Sequence, residues 1–181
     1  MALIYRGNRN LIQDNVICLF CSRSLPLSIY NPALDFLKAL MNETVTLAGG
    51  WHSPLEKRAL EAREPASDSN IVFCLAKGME NFSLPETLQN DFRENKVLIV
   101  SKWKNSRRID ISKVKQRNRM MLETFHRFLF LSIDDRGNLA ELCQKCLESG
   151  KVVYIFDHHT NARWKQKVII PISIRNMRNL V

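Results

Sequence analysis

With 181 residues and 45% hydrophobic composition, the chain is ample for one well-packed domain and short for two. A formal net charge of +9 points to an anionic partner. No stretch approaches the roughly 18 uncharged apolar residues of a membrane span, and residues 1–15 lack a signal peptide's apolar core and small-residue cleavage site. The expectation is a cytoplasmic protein with no membrane association, and the odd number of cysteines, five, argues against a disulfide framework.

In chain order, strands are expected over 15–21 (NVICLFC), 44–48 (TVTLA), 71–75 (IVFCL), 96–100 (KVLIV), 128–133 (FLFLSI) and 151–156 (KVVYIF). Each is nearly continuous in apolar character, as strands buried on both faces of a parallel sheet are. Between them the pattern predicts helices near 32–42, 54–63, 85–94, 113–125 and 138–149. Ser53 with Pro54 opens the second of these as N-cap and first turn, and Pro85 opens the third. Six strands alternating with five helices predict an α/β fold: a doubly wound, mostly parallel, Rossmann-like sheet with helices on both faces and right-handed crossovers.

The cysteines carry no metal signal. In a strand Cys18 and Cys21 face opposite sides and cannot chelate one ion together, while Cys143 and Cys146 share a helix face without a second pair near in sequence. Core packing is expected for them, and a polar loop for His158 and His159.

Charge is clustered. From Lys102 to Arg119 eight Lys and Arg residues stand against one acid, Asp110, and from His158 onward five stand against none. Such clustering is the footprint of a nucleic-acid or phosphate partner. Within that basic segment, Val114, Met121, Leu122 and Phe125 form the apolar stripe of a helix, and Asn118 falls on the same stripe between Arg117 and Arg119. An amide there needs hydrogen-bond partners. The two arginines diverge by about 200° around the axis, so one is expected to hold phosphate and the other to sit in an ion pair or on a wider nucleic-acid track.

Ligands of such sheets bind at the strand carboxyl ends. Those positions hold Ser22, Arg23 and Ser24; Gly49, Gly50, Trp51, His52 and Ser53; Lys77 and Gly78; Ser101 and Lys102; Asp134 to Asn138; and Asp157. The segment AGGWHSP reads either as a phosphate cradle at a helix N-terminus or as a tight strand-to-helix turn with a packed Trp. Neither a Walker A loop nor a G-x-G-x-x-G fingerprint occurs, and no cofactor is expected.

The order LFCSRS, LAGGWHSPLEKRAL, LAKGMENFSLPETL, VLIVSKWKN, QRNRMM and LAELCQKCLESGKVVYIFD resembles the Rossmann-type domain of the DNA-processing protein A (DprA, or Smf) family. The resemblance covers about residues 14–160 of what reads as one domain over 1–181, leaving 161–181 as a basic C-terminal extension. It implies single-stranded DNA binding, usually by a homodimer, and loading of a RecA-type recombinase during recombination or DNA uptake by transformation. By position, Ser22 and Arg23 match the family's Ser-Arg, Gly49 and Gly50 its glycine turn, and Arg117, Asn118 and Arg119 its Arg-Asn-Arg. Cys21 stands where the family has Gly, Lys102 where it has Glu, and Arg136-Gly137-Asn138 where it has Ser-Gly-Ser.

The strand-end positions and the resemblance together give an expected nucleic-acid or phosphate site of Ser22, Arg23, Gly49, Gly50, Trp51, His52, Lys77, Gly78, Ser101, Lys102, Arg117, Asn118, Arg119 and Asn138. Its ligand is single-stranded DNA or a phosphorylated nucleotide, and Trp51 and Trp103 either stack on bases or are buried. The same superfamily includes lysine-decarboxylase-like LOG proteins that hydrolyse nucleoside monophosphates at the N-glycosidic bond. In that alternative Glu141 acts as general base or cation stabiliser and Arg117 or Arg119 is the helix arginine that holds the phosphate. The Pro-Gly-Gly and Thr of the LOG signature are absent here, and Glu141 also reads as a first-turn glutamate favoured by the helix dipole. A non-catalytic nucleotide-binding sensor is the third reading.

Overall fold

A computed structural model describes residues 2–13, 15–135, 137–166 and 168–181; Arg136 of the Arg136-Gly137-Asn138 segment lies outside the described residues. The strands are β1 (Ile4–Gly7), β2 (Val16–Cys21), β3 (Thr46–Gly49), β4 (Asn70–Leu75), β5 (Val97–Ser101), β6 (Arg127–Ser132), β7 (Val152–Phe156) and β8 (Ile170–Ile172). The helices are α1 (Leu27–Met41), α2 (Pro54–Glu61), α3 (Gln89–Arg93), α4 (Ile111–Thr124) and α5 (Asn138–Glu148). The strands form one sheet in the order β1-β5-β4-β3-β2-β6-β7-β8. β1 is antiparallel to β5, and the other pairs are parallel.

The doubly wound, mostly parallel sheet is as the apolar runs predicted, with eight strands in place of six. The two additional strands are the edges. β1 is the half-exposed tetrapeptide IYRG, and β8 is three residues long with Pro171 at its centre, so neither has the apolar run of a buried strand. Residues 161–181 therefore include sheet, and Ile172, Met177 and Leu180 are buried in the core. α1 starts at Leu27, ahead of the expected start, and carries Pro32 inside it. Over 85–94 the single expected helix is a 3-10 turn (Glu86–Leu88) running into the short α3.

Alternation along each strand divides the core in two. Ile17, Leu19, Cys21, Leu47, Phe73 and Ile99 face the side covered by α1 and α2. Cys18, Phe20, Ala48, Cys74, Val100 and Phe130 face the side covered by α4 and α5. Cys18 and Cys21 accordingly lie on opposite faces, and all five cysteines are buried thiols outside any disulfide. Among the described residues no helix is long and apolar enough to cross a membrane.

At the amino ends of β4 and β5 the loop after α2 is held by one buried ion pair. Arg63 Nη1 donates to Asp91 Oδ2 at 2.6 Å, Nη2 donates to the carbonyls of Ser67 (3.2 Å) and Ser69 (2.6 Å), and Nε donates to Ser69 Oγ at 3.4 Å. Both side chains are almost fully enclosed, at 2% and 7% exposure.

Candidate functional site

β2, the first parallel strand in the chain, sits between β3 and β6, so the connections leaving its carboxyl end and that of β6 diverge to opposite faces. The crevice left at such a switch point is where open α/β sheets bind ligands. Here it is a cleft of about 430 Å³, walled by the loop Ser22–Ser24, by Gly50, His52 and Glu56, by Ile109–Ile111, by Arg117 and Asn118 of α4, and by Asp134, Gly137 and Asn138.

Ser22 closes the seam. Its N–H donates to Ser132 O at 3.1 Å and its hydroxyl accepts from Asp134 N at 2.9 Å, joining the ends of β2 and β6. Arg23 follows on the exposed rim, with no hydrogen bond or ion pair among the described residues, and its charge reaches His52 and Arg117.

After β3 the chain turns through Gly49, Gly50 and Trp51. Trp51 adopts φ 53°, a left-handed conformation that is uncommon for a bulky residue. Its indole N–H donates to Val72 O at 3.0 Å and its ring packs against Phe73. The burial corrects the expectation that Trp51 meets a ligand: it anchors the turn beneath the cleft, and Gly49 lies against it. Gly50 is required by close approach, because a Cβ there would meet Arg117 Nη1 at 2.0 Å and His52 Nδ1 at 2.4 Å. Ser53 then caps α2. Its hydroxyl accepts from Glu56 N at 3.2 Å, and Glu56 Oε2 accepts from the N–H groups of His52 (2.8 Å) and Ser53 (2.9 Å).

Arg117 is the centre of the site. It is 3% exposed, its Nε donates to Asn118 Oδ1 at 2.8 Å, and its Nη1 donates to Cys74 O at 3.4 Å. Its acceptors are thus an amide and a carbonyl, and no carboxylate of the described residues forms an ion pair with it. Burial lowers its pKa, with Cys74 and Glu56 acting against that. Burial conversely raises the Glu56 pKa, opposed by the two N–H groups it accepts from and by the field of Arg117. His52 is driven down to about 4, first by burial and then by Arg117 and Arg23, so its ring is neutral at pH 7. Asn118, the amide on the apolar stripe, is the acceptor that orients the guanidinium. Arg119 points away, with Nε donating to Glu123 Oε1 at 2.8 Å and 77% of its side chain exposed.

Other predicted residues lie outside the cleft. Ser101 is fully buried and its hydroxyl donates to Lys77 O at 2.7 Å; Lys77 Nζ lies 5.3 Å from the Phe82 ring centre. Gly78 N donates to Ser106 O at 2.8 Å where no Cβ fits. These three hold the 102–109 loop, which carries Lys102 and the half-buried Trp103, rather than facing a ligand in the cleft. Asn138, the first residue of α5, is exposed on the cleft edge.

Geometry separates Glu141 from Arg117. Glu141 lines a separate groove between α4 and α5, where Lys145 Nζ (2.6 Å) and Lys115 Nζ (3.5 Å) pair with it. The hydrogen bond from Lys145, then the nearby lysine charges, hold its carboxyl below the usual range, which weakens it as a base. It does not share a cavity with Arg117; Arg119, which pairs with Glu123, lines the same groove as Glu141. Among the described residues no group of three or more His, Cys, Asp or Glu side chains is placed to hold a metal ion.

Glu56 and Asp110 were missed in the sequence. Ser53 and Glu56 stand in the S-x-x-E spacing of a capping box, and that signal was there to find. Asp110 caps α4, its Oδ1 accepting from Lys113 N at 2.8 Å.

Compared as sequence, the chain matches no family model and no curated protein. Compared as a fold, it is similar to DNA processing protein A (DprA) from Streptococcus pneumoniae, with a TM-score of 0.73 at 14% identity over 94% of this chain and 62% of that one. It is also similar to DNA processing protein A from Helicobacter pylori, with a TM-score of 0.71 at 13% identity over 98% of this chain and 83% of that one; that structure concerns the protein's unique single-stranded DNA binding mode. The fold is DprA-like, and the chain spans less than two thirds of the length of the Streptococcus pneumoniae protein.

Proposed function

We propose that the cleft at the switch point holds a phosphate of single-stranded DNA. The observation that carries this is Arg117: a buried guanidinium, shelved over Gly50, with neutral acceptors behind it and no ion-pair partner among the described residues. Burying a cation without an opposite charge is costly, and an anion arriving from the cleft removes that cost. Arg23 on the rim supplies a second guanidinium, and such forks match phosphate oxygens in pairs. The preference for a nucleic-acid strand is supported by the DprA-like fold and by the basic 102–109 loop beside the cleft, whose Trp103 offers a partly exposed ring for stacking. Handing the strand to a RecA-type recombinase in the cytoplasm, by a homodimer, belongs to the same reading. A phosphorylated nucleotide is the smallest ligand that uses the same contacts.

Fluorescence anisotropy with labelled oligonucleotide across a salt series tests it. Wild type binds with log K falling linearly in log salt. Arg23→Ala with Arg117→Ala weakens binding by about 10- to 100-fold and reduces the slope by about 1.4, or about 0.7 for each lost phosphate contact. Binding that is absent, or indifferent to salt, overturns the proposal.

A further inference from the structure

A second cavity adjoins the cleft. It is the groove between α4 and α5, about 740 Å³, with Ile111, Leu122 and Leu142 as its apolar surface. Ile111, Asn118 and Asn138 line both cavities, so the two form one continuous depression that turns around the start of α4. Ile111 stands at the corner and is 68% exposed.

We infer that this groove is the base-holding continuation of the cleft, the place where bases next to the bound phosphate lie. The inference rests on the reading of the cleft as a phosphate site. A nucleobase has apolar faces and a polar edge, and the groove presents an aliphatic floor with amides at the junction. The Asn118 amide has a fixed direction, because a guanidinium only donates: its oxygen is taken by Arg117 Nε, and its N–H₂ is left to donate. That matches the carbonyl oxygens and ring nitrogens of bases. Lys115 and Lys145 stand on facing helices across the groove, within reach of the phosphates of a strand lying in it. Both pair with exposed Glu141, a weak surface arrangement that a phosphate displaces at little cost. The groove therefore adds contact along the strand without adding another buried charge.

Oligothymidylates of about 4 and about 12 nucleotides, spanning the usual site sizes, separate the two cavities. Wild type binds both, the longer one more tightly. Leu122→Gln changes a half-buried side chain that lines the groove and not the cleft, and it weakens the longer strand about fivefold or more with an unchanged salt slope while leaving the shorter one alone. Lys145→Glu also weakens the longer strand, and it lowers the slope. If both variants bind the longer strand as wild type does, the groove is not part of the path and the inference is overturned. If wild type binds neither oligonucleotide, the cleft reading falls and this inference falls with it.

Discussion

Arg63 and Arg117 are both buried, at opposite ends of the same parallel sheet, and the fold treats them differently. At the amino ends, Arg63 meets a carboxylate, two carbonyls and a hydroxyl. At the carboxyl ends, Arg117 meets one amide oxygen and one distant carbonyl. The first spends four of its five N–H donors on the protein, one of them on a carboxylate; its work is to bind the α2–β4 loop to α3. The second is hydrogen-bonded only to neutral groups, feels the Glu56 carboxylate at a distance without a direct ion pair, and faces an open cleft. The comparison separates an arginine that holds the structure together from one that the structure holds in readiness.

The largest effect is expected at the amino ends. Arg63→Ala removes one partner of a buried pair and leaves Asp91 stranded, a change that costs about 3 to 5 kcal/mol in urea unfolding. A loss under about 1 kcal/mol would mean that the pair at the amino ends is no more structural than Arg117.

A smaller effect is readable through His52. Its folded pKa of about 4 lies below the ordinary 6.5, so the unfolded chain takes the proton first. The stability it contributes is complete above about pH 6.5 and is lost as pH falls toward 4, by about 3 kcal/mol in all. His52→Gln flattens that part of the stability curve, and in Arg117→Met the imidazole pKa followed by NMR rises. An unmoved pKa in that variant would show that Arg117 does not project its charge into the cleft.

The smallest effect should be the stability change of Arg117→Met itself. Replacing a buried charge that lacks a carboxylate by an apolar chain of similar length leaves stability within about 1 kcal/mol of wild type, in either direction. A loss matching that of Arg63→Ala would dissolve the contrast between the two ends.

The sheet was legible because its central strands, covered on both faces, are written as unbroken apolar runs such as VICLFC and NIVFCL. Its edges were not, because β1 and β8 are half-exposed, and the ladder of a neighbour, rather than their own composition, makes them strands. At the site, Asn118 and Arg117 stood out as polar residues on an apolar stripe, and the inward and outward arginines follow from helix geometry alone. Gly50 was found for the wrong reason: it makes room for Arg117, whereas glycine before a helix suggested a backbone cradle. Trp51 and Glu141 were left with two readings each, because position along a chain does not say which way a loop residue turns, or which cavity a helix residue faces. A positive φ buried Trp51, and two lysines hold Glu141 in the other groove.

The hydrogen bond from Asp134 N to the Ser22 hydroxyl joins residues 112 apart in the chain. The cleft's walls come from residues near 22, 50, 110, 117 and 137, so no contiguous half of the chain contains it. Closing loops of that length is slow compared with forming local helices and adjacent parallel units. The pocket is therefore among the last things the polypeptide completes: a chain still emerging during synthesis has β2 through β5 in hand but no place for a strand until β6 docks beside β2. A completed cleft then reports that β6 has paired with β2.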